Sequence, residues 1–407
     1  MKKIYKGEQK IIFFATLVMI IYLEPQIFKE NSFVGVELFD RVYKILKLIS
    51  FFFTFLIYTK VNKFNVSKLL ILTALLQGTF FISTIINHGD LMRFIGPAIT
   101  TINVVMICEI LIKKKIIIDV LKKVNIYLWI CFFINLISII LIDCTAVSEY
   151  VSVYFLGIDN RFLFTFIPWI TFEGIVSYKQ SGKLNNRWKL VVILCEGVSL
   201  YKFSVSAMIC LALYFILFFK FSESKNYAKY STGLLYGYFV LNILFLKFKI
   251  QEKFKHYILV LGKDMTLSGR TFIWDGVFKM LKEKVMLGNG MQSLEYDKNF
   301  FYNSTSPYFL EFCKVTHAHN SIMTVLYRGG VISAAIYIYI LFYVAKKIKE
   351  NKDTLCSSLF LVSFLIILIT SIFDTIDFAM LYFIFTLIVN SEVLNKILIK
   401  NEKFNFE

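Results

Sequence analysis

The sequence predicts an all-α integral membrane protein, and two observations predict it before any motif is read. Of 407 residues, 57% are hydrophobic and only 18% are charged, giving a mean hydropathy of +0.67. A water-soluble domain cannot bury that much apolar surface. The apolar residues are also gathered into segments long enough to cross a bilayer, about 20 residues for about 30 Å. With 4 Pro and no Gly/Ser-rich linker, residues 1–407 read as a single polytopic domain.

Twelve spans are expected, taken in order at 11–23, 42–59, 69–87, 94–112, 124–142, 162–178, 188–201, 204–220, 232–248, 320–345, 355–373 and 377–397. The first follows "MKKIYKGEQK" and mimics a signal peptide. It lacks a small-x-small cleavage site and more spans follow, so it reads as retained. Every second connection is basic: "KVNKFNVSK", "KKKIIIDVLKK", "YKQSGKLNNRWK", "KFSESKNYAK" and "KKIKENKD". The intervening ones, such as "EPQIFKENSFVGVELFD" and "NHGD", are neutral or acidic. Lys and Arg stay on the cytoplasmic side, so both termini are expected there. Residues 249–319 then form one large extracytoplasmic loop, and loops that long are usually functional or disordered.

The net charge of +17 fits cytoplasmic loops facing anionic headgroups better than a nucleic-acid partner. Seven Cys without a C-x-x-C pair indicate neither a disulfide framework nor a zinc site. There is no G-x-x-x-x-G-K-[ST], G-x-S-x-G or H-E-x-x-H, which removes ATP-driven pumping and the commonest hydrolase classes.

The long loop holds "LSGRTFIWDGVFKMLKEKVMLGNGM". Ser268 or Thr271 can cap a helix beginning near Phe272. Ile273, Val277, Met280 and Leu281 share one face, and Gly288-Asn289-Gly290 ends the run. The helix is therefore amphipathic, suited to the membrane surface or the top of the bundle. Arg270 sits at its N-terminus, where free N–H groups and the macrodipole favour an anion and a guanidinium adds a fork for phosphate. The plain alternative is a surface arginine paired to a carboxylate.

Two of the chain's four histidines lie in "KVTHAHNSIMTVLYRGG". His319 and Asn320 open the tenth span at the outer interface, where an imidazole can act as a base near neutral pH. A headgroup-bound interfacial histidine is the alternative. His317 can share either role, and H-x-H without a nearby acidic ligand is a weak metal pattern. Arg328 falls nine residues beyond His319, about 180° round a helix and roughly 13 Å deeper. It must face the bundle interior or a wet cavity, with Asp374 or Asp377 available to neutralise it and a structural or lipid-phosphate role. Arg161 closes the outer segment "YFLGIDNR" as a second phosphate donor or a snorkelling anchor. Glu109, Glu173 and Glu196 lie near span ends and read as packing or gating residues.

The order of "SGR-x-x-x-W", "LGNG" and "HAHNS-x-x-x-x-L-x-x-GG" resembles the O-antigen ligase and Wzy-type polysaccharide polymerase superfamily. The matching elements are Arg270, Trp274, Gly288, Gly290, His319, Asn320, Gly329 and Gly330; Arg161 fits only loosely. The resemblance implies a GT-C-like fold in the bacterial cytoplasmic membrane. It implies glycosyl transfer from undecaprenyl diphosphate, with inversion, without cofactor or metal. Arg270 then holds the donor diphosphate, His319 deprotonates the acceptor hydroxyl, and outer aromatics such as Trp274, Tyr296 and Tyr308 stack on sugars. Implied partners are the undecaprenyl-diphosphate-linked oligosaccharide, membrane lipid, and a chain-length regulator and flippase of the same pathway.

Lys-, Ile-, Phe- and Asn-rich usage is that of a low-GC genome. That favours a capsule polymerase over a ligase, because a lipid A acceptor is then missing. A flippase is the non-enzymatic alternative. It would place charges deep along a cavity with short loops, unlike this chain.

Overall fold

In a computed structural model the protein is described over residues 6–29, 36–63, 65–145, 153–216, 227–254, 256, 270–304, 317–375 and 378–399. The elements are helices: α1 Lys6–Tyr22, α2 Val36–Asn62, α3 Lys68–Ile86, α4 Leu91–Lys113, α5 Ile117–Thr145, α6 Leu163–Ser181, α7 Asn186–Tyr201, α8 Val205–Ile216, α9 Ser231–Leu246, α10 Arg270–Leu281, α11 Leu294–Ser304, α12 Ser321–Glu350, α13 Ser357–Phe373, α14 Phe378–Val389 and α15 Ser391–Ile399. Among the described residues the only extended pairing is one bridge between Tyr154 and Gly157.

A helix lies on each of the twelve apolar segments. Among the described residues, five are long and apolar enough to cross a membrane: Leu38–Asn62, Lys68–Ile86, Leu91–Lys113, Ile117–Ile142 and Ser321–Glu350. The pair α14–α15, bent by 70°, makes a sixth if counted as one span. The chain is thus an integral membrane α protein. Its lipid face is visible as large exposed side chains, such as Phe52, Phe53 and Leu56 on α2 and Ile130, Phe133 and Ile137 on α5. Such a surface is costly in water and neutral against acyl chains. By contrast α6 is buried on all sides, with Phe166, Trp169 and Phe172 at 0% exposure, which marks a central helix.

Helix starts follow local chemistry. The side chains of Ser67, Asp90, Asn185 and Asn320 accept from the backbone N–H of Leu70, Arg93, Trp188 and Met323, each such cap contributing about 1 kcal/mol. At the other end of α6, Gly182 closes the helix in the left-handed conformation with φ 66°.

The longest helix, α12, is broken inside its apolar run. Gly330 has φ 61° and ψ −160°, so carbonyls before it and N–H groups after it lose their intrahelical partners. The loop after α10 replaces them. Val331 N–H donates to Val285 O at 2.9 Å, while Asn289 and Gly290 N–H donate to Tyr327 O and Arg328 O at 2.6 and 3.1 Å. Irregular backbone within a membrane protein needs this kind of compensation. The same loop is tied to the α3–α4 turn by Asp90 N–H to Met291 O at 2.7 Å and Asn87 Nδ2 to Gly288 O at 3.1 Å. So part of the expected outer loop is wedged into the bundle rather than lying above it.

Candidate active site

α10 is described from Arg270 to Leu281, with Arg270 in helical conformation, and the residues before it lie outside the described ones. Its buried face, Ile273, Trp274 and Val277, packs with Leu246, Phe301, Ala318, Met323 and Tyr327. This holds α10 over the outer end of α12. Trp274 is 1% exposed and its Nε1 donates to Ala318 O at 2.9 Å. The indole face expected to stack on a sugar is therefore covered. What the side chain holds instead is the backbone between the two histidines.

Asn320 is also buried and has three partners. Its Oδ1 caps α12, and its Nδ2 donates to Asn242 Oδ1 at 2.9 Å and to Ile372 O at 3.0 Å. One amide thus locks the start of α12 to α9 and to the end of α13. His319 immediately before it has φ 47°, a left-handed conformation that non-glycine residues adopt sparingly and that clusters at functional sites.

These locks bring His317, His319 and Asp374 together. His317 Nε2 and His319 Nδ1 each lie 3.4 Å from Asp374 Oδ1, and the imidazole centroids are 4.2 Å apart. Both contacts are longer than a charge-assisted hydrogen bond, and Nδ1 of His319 is buried without a hydrogen-bond partner. Burial lowers His319 to about 4, helped by His317 and, least, by Arg270, with Asp374 opposing. Burial pushes the Asp374 carboxyl up, but His317 and His319 outweigh it and hold it well below its ordinary value. At neutral pH a neutral His319 imidazole therefore faces an ionised carboxylate.

A helix dipole sharpens the point. Asp374 caps the C-terminus of α13, where a negative charge is disfavoured, an arrangement that fits function better than stability. The three side chains are also a possible ion site, since their ligand atoms all lie within 4.8 Å of one another. Asp374 is thus the partner of the histidines, not of Arg328 as expected; Asp377 lies outside the described residues, as do Ser268 and Tyr308.

Arg328 is instead the weakest of the charges acting on Asp297. Burial raises that carboxyl above its ordinary value, and Arg93, Tyr327 and, more weakly, Arg328 oppose it. Arg93 Nη1 contacts Asp297 Oδ2 at 2.5 Å and Tyr327 OH donates to Oδ1 at 2.7 Å. Arg161 lies in the 3-10 turn Asp159–Phe162 ahead of α6, packed beside Gly157, and takes no part in the contacts described at Asp374. Glu173 pairs with Arg187 at 2.8 Å and Glu109 accepts from Tyr58 OH at 2.7 Å. Sequence reasoning missed Arg93, Asn242 and Asp297. Asn242 interrupts the apolar run "YFVLNILFL", which is the signal that could have found it, whereas Asp297 lies among Glu295, Lys298 and Asn299 and carries no such signal.

A family model described as O-Antigen ligase (Wzy_C) matches residues 190–338, a range containing Arg270, Trp274, His317, His319, Asn320 and Arg328. The resemblance to the O-antigen ligase/Wzy superfamily therefore has independent support. No curated protein and no solved structure matches the chain.

Proposed function

We propose that the chain is a repeat-unit polymerase for a capsule or O-antigen polysaccharide, working with twelve spans at the outer face of the bacterial cytoplasmic membrane. A growing glycan on undecaprenyl diphosphate is the donor. A repeat unit on a second undecaprenyl diphosphate supplies the acceptor hydroxyl. That oxygen attacks the anomeric carbon from the face opposite the leaving group, and the configuration inverts. The bond from the anomeric carbon to the phosphate oxygen breaks, and its electron pair leaves on the lipid diphosphate.

The observation that carries this reading is His319 Nδ1 lying 3.4 Å from the Asp374 carboxylate, in a site where burial favours the neutral imidazole and the charge of Arg270 acts on the same ring. His319 takes the hydroxyl proton at Nε2, the nitrogen that does not face Asp374, and Asp374 stabilises the imidazolium that forms. Arg270 and the α10 N-terminus hold the diphosphate and stabilise its growing charge. Neither step calls for a metal or a nucleotide sugar. Asn320 and Trp274 act as positioning residues, and His317 shares the carboxylate. Arg161 is assigned to lipid phosphate at the membrane surface, and Arg328, deeper in the bundle, to a structural or lipid-phosphate role.

The description of the matching family favours a second reading, transfer of the finished glycan to a different acceptor. The test is purified full-length protein in nanodiscs with a defined undecaprenyl-diphosphate oligosaccharide. A ladder of lengthened lipid-linked products, lost in His319→Ala and Arg270→Ala, is expected. Products only when an unrelated acceptor is added favour the ligase. Movement of substrate between leaflets with no new bond would sink both.

A further inference from the structure

A lone H-x-H is a weak metal pattern because it lacks a third, charged ligand. The fold supplies one. The end of α13 brings Asp374 to both imidazoles, at the same oxygen and the same distance, 3.4 Å.

We propose that His317 Nε2, His319 Nδ1 and Asp374 Oδ1 form a three-ligand site for a divalent transition metal of the zinc class, and that an ion bound there switches the transfer off.

The distances decide between two explanations of the cluster. A charge-assisted N–H···O contact would be about 2.7–2.9 Å, well inside the observed separation. A tetrahedral zinc-class ion has ligand bonds of about 2.0–2.2 Å. Two ligands on such an ion are then about 3.3–3.5 Å apart, which is the spacing seen on both edges that meet at Asp374. The third edge is bounded at 4.8 Å, so the two imidazoles need only a small rotation to close on one ion. The chemistry of the donors agrees. Two imidazoles and a carboxylate are an ordinary zinc set with one vertex left open. Nδ1 of His319 is buried and without a hydrogen-bond partner, so an ion that takes the place of its proton displaces no other contact there.

The switching part of the proposal rests on the polymerase reading. An ion held by Nδ1 leaves the imidazole proton on Nε2. Nε2 is then a donor, and it cannot accept a proton from a sugar hydroxyl. Asp374 is withdrawn from His319 at the same time. Loss of the general base costs roughly 10²–10⁴-fold in rate.

Co²⁺ is the probe. Full-length protein in nanodiscs, stripped with a chelator, is titrated with Co²⁺ and read by visible absorption. A saturable band of low-symmetry Co²⁺, displaced by Zn²⁺, is expected. His317→Gln and Asp374→Asn, each checked for an unchanged melting profile, should weaken it at least about tenfold. No band, or a band unaltered in both variants, overturns the site. The glycan ladder is then run with Zn²⁺ and with Zn²⁺ plus chelator. Loss of the ladder and its return are expected. A bound ion that leaves the ladder intact overturns the switch alone, and a chelated protein that makes no ladder overturns the polymerase reading while the Co²⁺ band still reports on the site.

Discussion

Nδ1 of His319 stands 3.4 Å from Oδ1 of Asp374, close enough for strong electrostatic coupling and too far for a good hydrogen bond. The carboxylate therefore acts on the imidazole through charge more than through a fixed N–H contact. Asp374→Asn keeps the shape and removes the charge. It should slow the single-turnover transfer, by less than the roughly 10²–10⁴-fold expected for His319→Ala. Quenched-flow counting of lengthened products measures both. An Asp374→Asn protein as fast as wild type would show that the carboxylate only packs.

The pH dependence has a definite sign. His319 works as a base only when neutral, and in the free protein it titrates near 4. With chelator present, kcat/KM should be level at neutral pH and fall as the pH drops through about 4. A bound lipid diphosphate adds negative charge beside Arg270, offsets its positive charge, and favours the imidazolium. The acid limb of kcat, which reports the bound complex, should therefore lie at higher pH than that of kcat/KM. Two coincident limbs would separate Arg270 from the diphosphate.

Much of this site was legible in order along the chain, and its pairings were not. Apolar length located the helices of the twelve apolar segments and amphipathic spacing located α10, while α11 was not foreseen; Ser67, Asp90, Asn185 and Asn320 are caps that can be read directly from residue type and spacing. Arg270 at a helix N-terminus and His319 ahead of an apolar run are likewise local facts. Asp374 was visible as an acid ending a span, but its partner depends on how α12 and α13 pack, and both Arg328 and His319 were within reason. Trp274 failed for a related reason. An aromatic on an amphipathic helix reads as a sugar platform or as core, and only the contact with Ala318 decides.

That contact yields its own test. Trp274→Phe keeps a ring in the cavity and removes the N–H that reaches Ala318 O at 2.9 Å. Leaving a buried carbonyl unpaired costs about 1–3 kcal/mol, whereas Trp274→Ala, which empties the site, should cost roughly 3–5 kcal/mol. The phenylalanine variant should melt lower and turn over more slowly with KM unchanged, because the segment carrying both histidines is less firmly held. A raised KM with kcat intact would instead return Trp274 to direct contact with the glycan.

The break in α12 makes the most demanding prediction, because two glycines far apart in sequence depend on each other. A Cβ at Gly288, where φ is 61°, would come within 2.6 Å of Leu326 O and Tyr327 O and 2.7 Å of Gly330 N. One at Gly330, with φ also 61°, would run into the carbonyl of Met286. The obstacles are backbone atoms that cannot rotate away, and the positive φ alone costs roughly 1–3 kcal/mol for an L side chain. Gly288→Ala and Gly330→Ala should each lose folded protein in fluorescence-detected size exclusion and melt well below wild type. Gly78→Ala and Gly96→Ala, on α3 and α4 with nothing within 4 Å of the new atom, should be neutral or gain up to about 1 kcal/mol of helix propensity. Whatever Gly330→Ala protein survives should also polymerise poorly. Restoring a continuous α12 expels the loop and moves the outer turns on which His319 and Asn320 stand. Wild-type folding and ladders from Gly330→Ala would mean that α12 runs unbroken and that the loop's hydrogen bonds to Tyr327, Arg328 and Val331 are dispensable.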